Sequence, residues 1–333
     1  MPSQEITVVI DVFCHHSSKM VEEMIGNANL PKEGENFRKK WNPQSEFPFP
    51  VDSAAAEFRL NLMDKYGIDM QALSQTAPAL FGIGAEMAAE ICRRSNDENY
   101  AICKAYPKRF VNICIVSLLD VKGAMEELDR SVNELDCRGI TIATNQKGNG
   151  LDSPDYFQFY EKLAEHDLAL FLHPTYWESY PLADQVQGWG FMAAFGWPFD
   201  TTQAVWRLIL GGVMDRFPSL KIVTHHMGAM FPYFSGRMHG AAARNKLARD
   251  ISEYWKNIFG DTAISGGTTA AYELGYDFFG PDRLMFGSDY PFGPEAGERS
   301  ISATLAGIRS MDIPLADKEK ILGKNAEKLL KVE

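Results

Sequence analysis

The chain of 333 residues lacks any apolar run long enough to cross a membrane. No stretch approaches the roughly 18 consecutive apolar residues that a spanning helix needs, and the first residues do not show the basic and apolar regions of a signal peptide. Basic residues are also scarce, because 33 Lys and Arg are set against 44 Asp and Glu, for a formal net charge of −11. Nucleic acids and membranes are therefore not expected as partners, and we expect a cytoplasmic protein.

Cysteine is rare, and its spacing excludes a disulfide framework or a zinc finger. The five cysteines are odd in number and show no C-x-x-C pair, which is typical of reduced thiols; they are Cys14, Cys92, Cys103, Cys114 and Cys137. The chain also lacks internal repeats and low-complexity tracts. With 45% hydrophobic residues it can bury a large core, so we expect one domain over residues 1–333.

Metal-capable side chains recur where predicted strands end. Four apolar runs stop at an imidazole or a carboxylate, namely at His15-His16, His173, His225-His226 and Asp289. These runs belong to a series of eight predicted strands, which alternate with segments of helical periodicity. The strands are predicted at residues 7–16, 68–74, 109–116, 138–143, 168–173, 221–224, 261–264 and 283–287. This pattern predicts an α/β TIM-type (β/α)8 barrel, with its site at the C-terminal ends of the strands.

Two long segments interrupt the alternation, and a last helix follows it. Residues 17–52 form an irregular, proline-containing insertion after strand 1, which we predict to be a lid or an interface; the alternative is a solvated surface excursion. The loop at residues 175–200 is rich in aromatic side chains, including Trp177 and Trp189. These side chains are predicted either to bind a flat, apolar substrate or to form an oligomer interface. A C-terminal helix is predicted at residues 315–330.

The strand ends contain the ligands of a divalent metal site. Because side chains alternate along a strand, Phe13 and His15 are expected on one side, and Cys14 and His16 on the other. With His15 facing inward, a metal could be held by His15, His173 and Asp289, two imidazoles and one carboxylate. We predict His226 as a general base or acid. His16 and His225 are expected to point away, in supporting or packing roles.

Several motifs resemble the amidohydrolase superfamily, in the branch of aminocarboxymuconate-semialdehyde decarboxylase and related aromatic-acid decarboxylases. The resemblance covers nearly the whole chain, and its most specific motifs are THHMG at residues 224–228 and FGSDYP at residues 286–291. It implies a distorted barrel, a homodimer, one divalent metal such as zinc or manganese, and nonoxidative decarboxylation.

The resemblance also implies roles for individual residues. His173 and Asp289 match metal ligands, and His226 matches the catalytic histidine. Arg237 matches an arginine that the decarboxylase offers to a substrate carboxylate across the dimer, a task suited to a bidentate guanidinium.

Position 13 departs from the family pattern. The family places an ionisable ligand two residues before the first-strand histidine, and here Phe13 occupies that place. A phenyl ring cannot coordinate a metal. Asp11 is too far from His15 along the strand to substitute for the lost ligand, and Cys14 could do so only if the strand bulges.

We therefore predict a carboxy-lyase that acts on a small aromatic or unsaturated ring carboxylate, with His226 or Asp289 supplying the proton. Two alternatives remain open at this point. One is a hydrolase or hydratase in which His226 activates water, with or without a metal. The other, suggested by Phe13, is a barrel that binds a ligand without catalysis.

Overall fold

The fold is a barrel of parallel strands surrounded by helices. The computed structural model describes residues 8–16, 21, 23–24, 53–80, 82–175 and 192–332. The strands are β1 Ile10–His15, β2 Met70–Ser74, β3 Phe110–Ile115, β4 Gly139–Ala143, β5 Asn145–Gln146, β6 Asn149–Gly150, β7 Ala169–His173, β8 Lys221–Thr224, β9 Ile258–Asp261 and β10 Leu284–Met285. Eight of them form one parallel sheet in the order β1-β2-β3-β4-β7-β8-β9-β10, and β5 and β6 form a short hairpin.

Helices follow the barrel strands, as the alternating pattern predicts. The α-helices of the described residues are Ser53–Tyr66, Ala85–Ala105, Val121–Glu134, Phe157–Glu165, Trp197–Leu210, Val213–Arg216, Phe231–Asn245, Ile251–Trp255, Thr269–Phe279, Glu298–Ser310, Leu315–Glu319 and Asn325–Leu330. In the described part of the chain, no helix is long and apolar enough to cross a membrane.

The first strand and the segment after the last strand close the barrel. The main-chain N–H of Val12 donates to the carbonyl of Phe286 at 2.9 Å, and that of His15 donates to Tyr290 at 2.7 Å. In the other direction, the N–H of Asp289 donates to the carbonyl of Phe13 at 2.8 Å. These bonds confirm the predicted distorted TIM-type barrel in a single domain.

The interior of the barrel is apolar at its base. Side chains from the lower halves of the strands pack together there, among them Ile10, Val12, Val111, Phe171 and Val223. Ala326, Leu329 and Leu330 from the last helix belong to the same cluster, so this helix caps the base. The predicted helix at residues 315–330 is present as two α-helices joined by a π-helical turn at Lys320–Lys324. With the base filled, the C-terminal end is left for a site.

One predicted strand is wrong in its position. The sequence suggested a strand at residues 261–264, whereas β9 ends at Asp261. The chain turns directly after it, because the N–H of Ile264 donates to the carbonyl of Thr262 at 2.8 Å. Gly260 interrupts the apolar run of β9, and because glycine is unfavourable inside a strand, the sequence pattern does not indicate a strand there. Asp261 therefore lies at the C-terminal end of a strand, where site residues are expected.

The predicted insertion at residues 17–52 lies almost entirely outside the described residues.

A buried carboxylate supports the closure of the barrel. Asp11 is fully buried and accepts hydrogen bonds from the Ser288 N–H at 3.0 Å, the Ser288 hydroxyl at 2.6 Å and the Gln71 amide at 3.1 Å. Burial raises the pKa of Asp11 to about 6, although the bonds from Ser288 and Gln71 oppose the shift. Asp11 therefore holds the residue that directly precedes Asp289.

We expect Asp11→Ala to lower the free energy of unfolding by about 2–4 kcal/mol, because it leaves three buried donor groups without their acceptor. Urea denaturation of both proteins at neutral pH measures the difference. The matched control is Asp69→Ala, which removes an exposed carboxylate that accepts one main-chain N–H, from Val9. A loss for Asp11→Ala no larger than that for Asp69→Ala would contradict the proposed support.

Candidate active site

Four imidazoles surround one phenyl ring at the C-terminal end of the barrel. The ring centroid of Phe13 lies 4.5 Å from that of His15, 5.6 Å from His173, 3.5 Å from His225 and 5.7 Å from His226. The Phe13 and His225 rings are stacked, with 17° between their planes. The ends of strands β1 and β7 and the residues directly after β8 thus meet at one place, as the sequence predicts for His15, His173 and His226.

An irregularity in strand β1 turns Phe13 inward. The pairing of β1 with β2 shifts register between Asp11 and Cys14, and Ile10 and Val12 already face the apolar base. The shift lets Phe13 and His15 face the interior as well. The bulge does not turn the Cys14 thiol toward the histidines. The thiol is fully buried and donates to the carbonyl of Ala72 at 3.1 Å. Burial raises the pKa of the Cys14 thiol well above its usual value, so Cys14 is not a substitute ligand.

Asp289 lies between two histidines. Its Oδ1 is 3.3 Å from Nε2 of His15, and its Oδ2 is 3.8 Å from Nε2 of His226. Burial alone would raise the pKa of Asp289, but its contacts with His15 and His226 hold that pKa below the usual range. Burial would lower the pKa of His226, and the contact with Asp289 raises it instead. The pair His226 and Asp289 is therefore a place where a proton can be held and passed on.

The donor groups fit a divalent metal in their chemistry. Neither ring nitrogen of the buried His15 has a hydrogen-bond partner among the described residues, which is costly unless a ligand binds there. The 3.3 Å between His15 and Asp289 is compatible with two ligands of one ion, whose bonds are about 2.1 Å long. Burial and the neighbouring His15 and His225 lower the pKa of His173 well below its usual value, which keeps the ring neutral, as a ligand must be.

The donor groups fall short in number. Within the described residues, no three His, Cys, Asp or Glu side chains already form a group that could hold a metal ion. The ring of Phe13 lies among the imidazoles and contributes no donor atom. A metal at this place therefore has one donor fewer than the family pattern provides.

His225 is not directed away from the site, and that prediction is wrong. Strand β8 ends at Thr224, so the alternation of a strand no longer applies to His225, and its ring packs on Phe13. Its Nδ1 lies 2.6 Å from Oδ2 of Asp261, and both side chains are buried. His16 does face away, toward Glu98, with 3.4 Å between its Nε2 and the carboxylate.

His226 begins an unusual backbone turn. The φ angles of His226, Met227, Gly228 and Ala229 are 57°, 58°, 69° and 58°. A left-handed conformation costs a non-glycine residue about 1–2 kcal/mol, and it normally occurs at single positions rather than in a run. Such strain persists only where the surroundings enforce it, and it is often found at functional sites.

Of the remaining predicted site residues, the structure describes only Arg237. Arg237 is exposed on the helix Phe231–Asn245. Trp177 and Trp189 are outside the described residues. Trp197 belongs to the predicted aromatic loop at residues 175–200 but begins the helix Trp197–Leu210, and its ring stacks on that of His226 with centroids 6.5 Å apart and 16° between planes. Sequence reasoning missed Asp261. For Asp261, the signal would have been its position at a strand end.

Sequence reasoning also missed Arg59, which supports His15 from behind. Its guanidinium donates to the main-chain carbonyl of His15 at 2.6 Å and lies 4.7 Å from the ring centroid of Tyr290. Arg59 is on the helix Ser53–Tyr66, and only 5% of it is exposed. No strand-end pattern identifies such a residue, because it approaches the site from a helix.

Comparison with known proteins decides the family. The family model described as amidohydrolase matches residues 14–332. The chain belongs to the amidohydrolase family. This match, together with the similarity to decarboxylases, confirms the resemblance to the amidohydrolase superfamily that the motifs indicate.

Curated relatives of this amidohydrolase include decarboxylases. It is 31% identical to a gamma-resorcylate decarboxylase of Rhizobium sp. (strain MTP-10005), over 83% of this chain and 86% of the relative. It is 29% identical to the 2-amino-3-carboxymuconate-6-semialdehyde decarboxylase of Dictyostelium discoideum, over 82% and 76%.

Solved structures are similar over the whole length. The 5-carboxyvanillate decarboxylase from Sphingomonas paucimobilis superposes with a TM-score of 0.85 at 26% identity, covering 98% of this chain and 99% of that one. A 5-carboxyvanillate decarboxylase from Novosphingobium aromaticivorans, complexed with manganese and 4-hydroxy-3-methoxy-5-nitrobenzoic acid, gives 0.83 at 25% identity, covering 98% and 97%.

We expect Phe13→His to tighten manganese or zinc binding by about 10- to 100-fold. Loss of a residue that only hydrogen-bonds to a metal ligand already changes metal affinity by about this factor. The new imidazole would face the other histidines and supply the missing donor. Competition with a fluorescent chelator measures the affinity. Phe259→His, on the same barrel but in the apolar layer near its base, controls for an added histidine as such. Unchanged affinity in Phe13→His would show that position 13 does not limit metal binding.

Proposed function

We propose that this amidohydrolase is a metal-dependent nonoxidative decarboxylase of a small aromatic carboxylate. The observation that carries the proposal is the meeting of His15, His173, His226 and Asp289 at the C-terminal end of the barrel. The relatives with decarboxylase names, which match more than four fifths of the chain, support the same reaction.

His15, His173 and Asp289 are the residues that would hold the metal. Two imidazoles and a carboxylate suit manganese and zinc alike, and the manganese in the Novosphingobium relative supports a divalent ion of this kind. When bound, such an ion supplies positive charge that stabilises negative charge developing on substrate oxygens.

The reaction itself needs one proton and releases carbon dioxide. The His226–Asp289 pair donates a proton to the ring carbon that carries the carboxylate, and that carbon becomes tetrahedral. The bond between this carbon and the carboxylate carbon then breaks, its electron pair returns to the ring, and CO2 leaves. The product has a hydrogen where the substrate had the carboxylate, so no oxidant or reductant is consumed.

The substrate class follows from the chemistry of that proton transfer. A ring carbon accepts a proton only if the ring is rich in electrons, and a hydroxyl group ortho or para to the carboxylate provides this. Gamma-resorcylate and 5-carboxyvanillate, the substrates in the names of the relatives, carry such hydroxyl groups. The Trp197 ring, which stacks on His226, offers a flat apolar surface to such a ring. We therefore propose a hydroxylated benzoate.

The proposal is tested with gamma-resorcylate labelled with 13C in its carboxylate and with 5-carboxyvanillate labelled with 13C in its 5-carboxylate, which is ortho to the hydroxyl group. We expect labelled CO2 in the headspace and the decarboxylated phenol in equal amounts. Treatment with a chelator should abolish release, and manganese or zinc should restore it. A hydrolysed or hydrated product without labelled CO2 would contradict the proposal.

Single substitutions should separate metal binding from proton transfer. We expect His173→Ala and Asp289→Ala to lose the metal and at least about 100-fold of kcat, since each removes a donor. His226→Asn should lose similar activity yet keep its metal, because it removes only a proton carrier. Metal analysis by mass spectrometry and CO2 release measure both effects. His166→Asn, at the opposite end of the barrel, serves as the control. Normal metal content in both alanine variants would refute the ligand assignment.

We also propose that the protein is a homodimer in which Arg237 serves the site of the second copy. Tyr233 and Phe234 are exposed beside it on the same helix, at 76% and 37% of their surface, and their rings pack edge to face with centroids 4.8 Å apart. An exposed aromatic pair next to an arginine is the composition of an interface centre. A guanidinium suits a substrate carboxylate because it binds both oxygens.

For Arg237→Ala we expect KM for the carboxylate substrate to rise about tenfold or more, with metal content unchanged, because a bidentate contact to the substrate is lost. Steady-state kinetics and metal analysis test this, and sedimentation shows whether the wild-type protein is a dimer. Arg244→Ala, an exposed arginine on the same helix, is the matched control. A monomeric wild type, or an equal KM in both variants, would contradict the assignment.

A further inference from the structure

The turn that carries His226 needs an external restraint. It runs through four residues with positive φ, of which only Gly228 is a glycine. Its own hydrogen bonds are few: the N–H of Ala229 donates to the carbonyl of His226 at 2.9 Å, and that of Phe231 to Gly228 at 3.1 Å. Runs of this kind are not stable in isolation for L-residues. The position of the His226 ring therefore depends on what holds the turn from outside.

Asp261 makes three contacts with this segment. Its Oδ1 accepts the N–H of His226 at 3.0 Å, and its main-chain carbonyl accepts the N–H of Met227 at 3.1 Å. Its Oδ2 lies 2.6 Å from Nδ1 of His225. One residue thus holds three consecutive positions, two by their main-chain N–H groups and one by its side chain.

Asp261 is itself held firmly. It is fully buried at the end of strand β9, and its Oδ1 also accepts the N–H of Ala263 at 3.0 Å. The backbone at Gly287 lies against it so closely that a Cβ at that position would be 2.9 Å from the Cβ of Asp261. Asp261 is therefore a fixed point between the His226 turn and the segment that leads to Asp289.

We propose that Asp261 is a positioning residue, which enforces the left-handed turn at His226 and thereby sets the His226 ring against Asp289. The proposal rests on the proposed function to the extent that His226 carries the proton. Asp261 contacts no reacting atom, so its effect passes through the geometry of His226. A displacement of about 1 Å in a reacting group can cost about 100-fold in rate.

Two substitutions separate the restraint of the turn from the charge of the side chain. In Asp261→Asn, the remaining oxygen still accepts the N–H groups of His226 and Ala263, while the amide replaces the oxygen that faces His225. Asp261→Ala removes all three side-chain contacts, with the N–H groups of His226 and Ala263 and with the His225 ring. A role in holding the turn predicts that asparagine rescues the geometry of His226 and alanine does not.

The experiment uses the zinc-loaded proteins, because zinc is diamagnetic. It measures kcat and KM on gamma-resorcylate and, without substrate, the 1H–13C signal of the His226 ring, which is assigned with His226→Asn. In Asp261→Ala we expect kcat to fall 10- to 100-fold with KM within about twofold, and the His226 signal to shift or broaden. Asp261→Asn should keep the wild-type signal and recover part of the lost kcat. Asp250→Ala, which removes a carboxylate that caps a remote helix through Ser252, controls for loss of stability alone.

Either of two results overturns the proposal: wild-type kcat and His226 signal in Asp261→Ala, or a signal in Asp261→Asn displaced as far as that of Asp261→Ala. If Asp261→Ala does not fold, the His226 signal of Asp261→Asn decides alone. Failure of the proposed function is a separate outcome, because a wild type that releases no CO2 leaves the test by the His226 ring signal intact.

Discussion

Closure of the barrel between its first strand and the segment after its last strand is the constraint on which the site depends. The main-chain bond from Asp289 to Phe13 and the contacts of Asp11 with Ser288 fix both segments in one register. A shift by one residue would turn every side chain of the strand to the opposite face. The same bonds that complete the sheet therefore bring His15 to Asp289, and stability and site geometry have one source.

The phenyl ring among the histidines has two opposite consequences for function. The apolar Phe13 ring lies beside the rings of His15 and His226, and an apolar neighbour lowers the local dielectric and strengthens the interactions of these histidines with Asp289. It also withholds the donor atom that a metal would otherwise have at this position. The ionic contacts within the site are thus stronger, but fewer side chains can bind the metal. Loss of any one of the remaining donors should therefore weaken metal binding strongly.

The sequence predicted the barrel and the side chains at its strand ends well, because parallel strands have continuous apolar runs and their ends meet in space. The sequence prediction was wrong where the local sequence shows no regular alternation of apolar and polar residues. Because Gly260 breaks the apolar run of β9, the strand was predicted at the wrong residues and Asp261 was not recognised as a strand-end residue. Strand β8 ends at Thr224, so the expected alternation no longer applies to His225, whose ring faces the site. Arg59 could not be predicted as a site residue because it lies on a helix, and only the fold brings it into contact with His15. Long-range contacts of this kind leave no local signature.

The central claim is that His15, His173 and Asp289 hold one divalent metal beside Phe13. Anomalous diffraction from crystals of the protein grown with manganese, recorded on both sides of the manganese absorption edge, tests it most directly. The account predicts one peak at the C-terminal end of the barrel, within bonding distance, about 2.0–2.3 Å, of these three side chains. A fully loaded crystal with no peak there, or with a peak held by other residues, would contradict it.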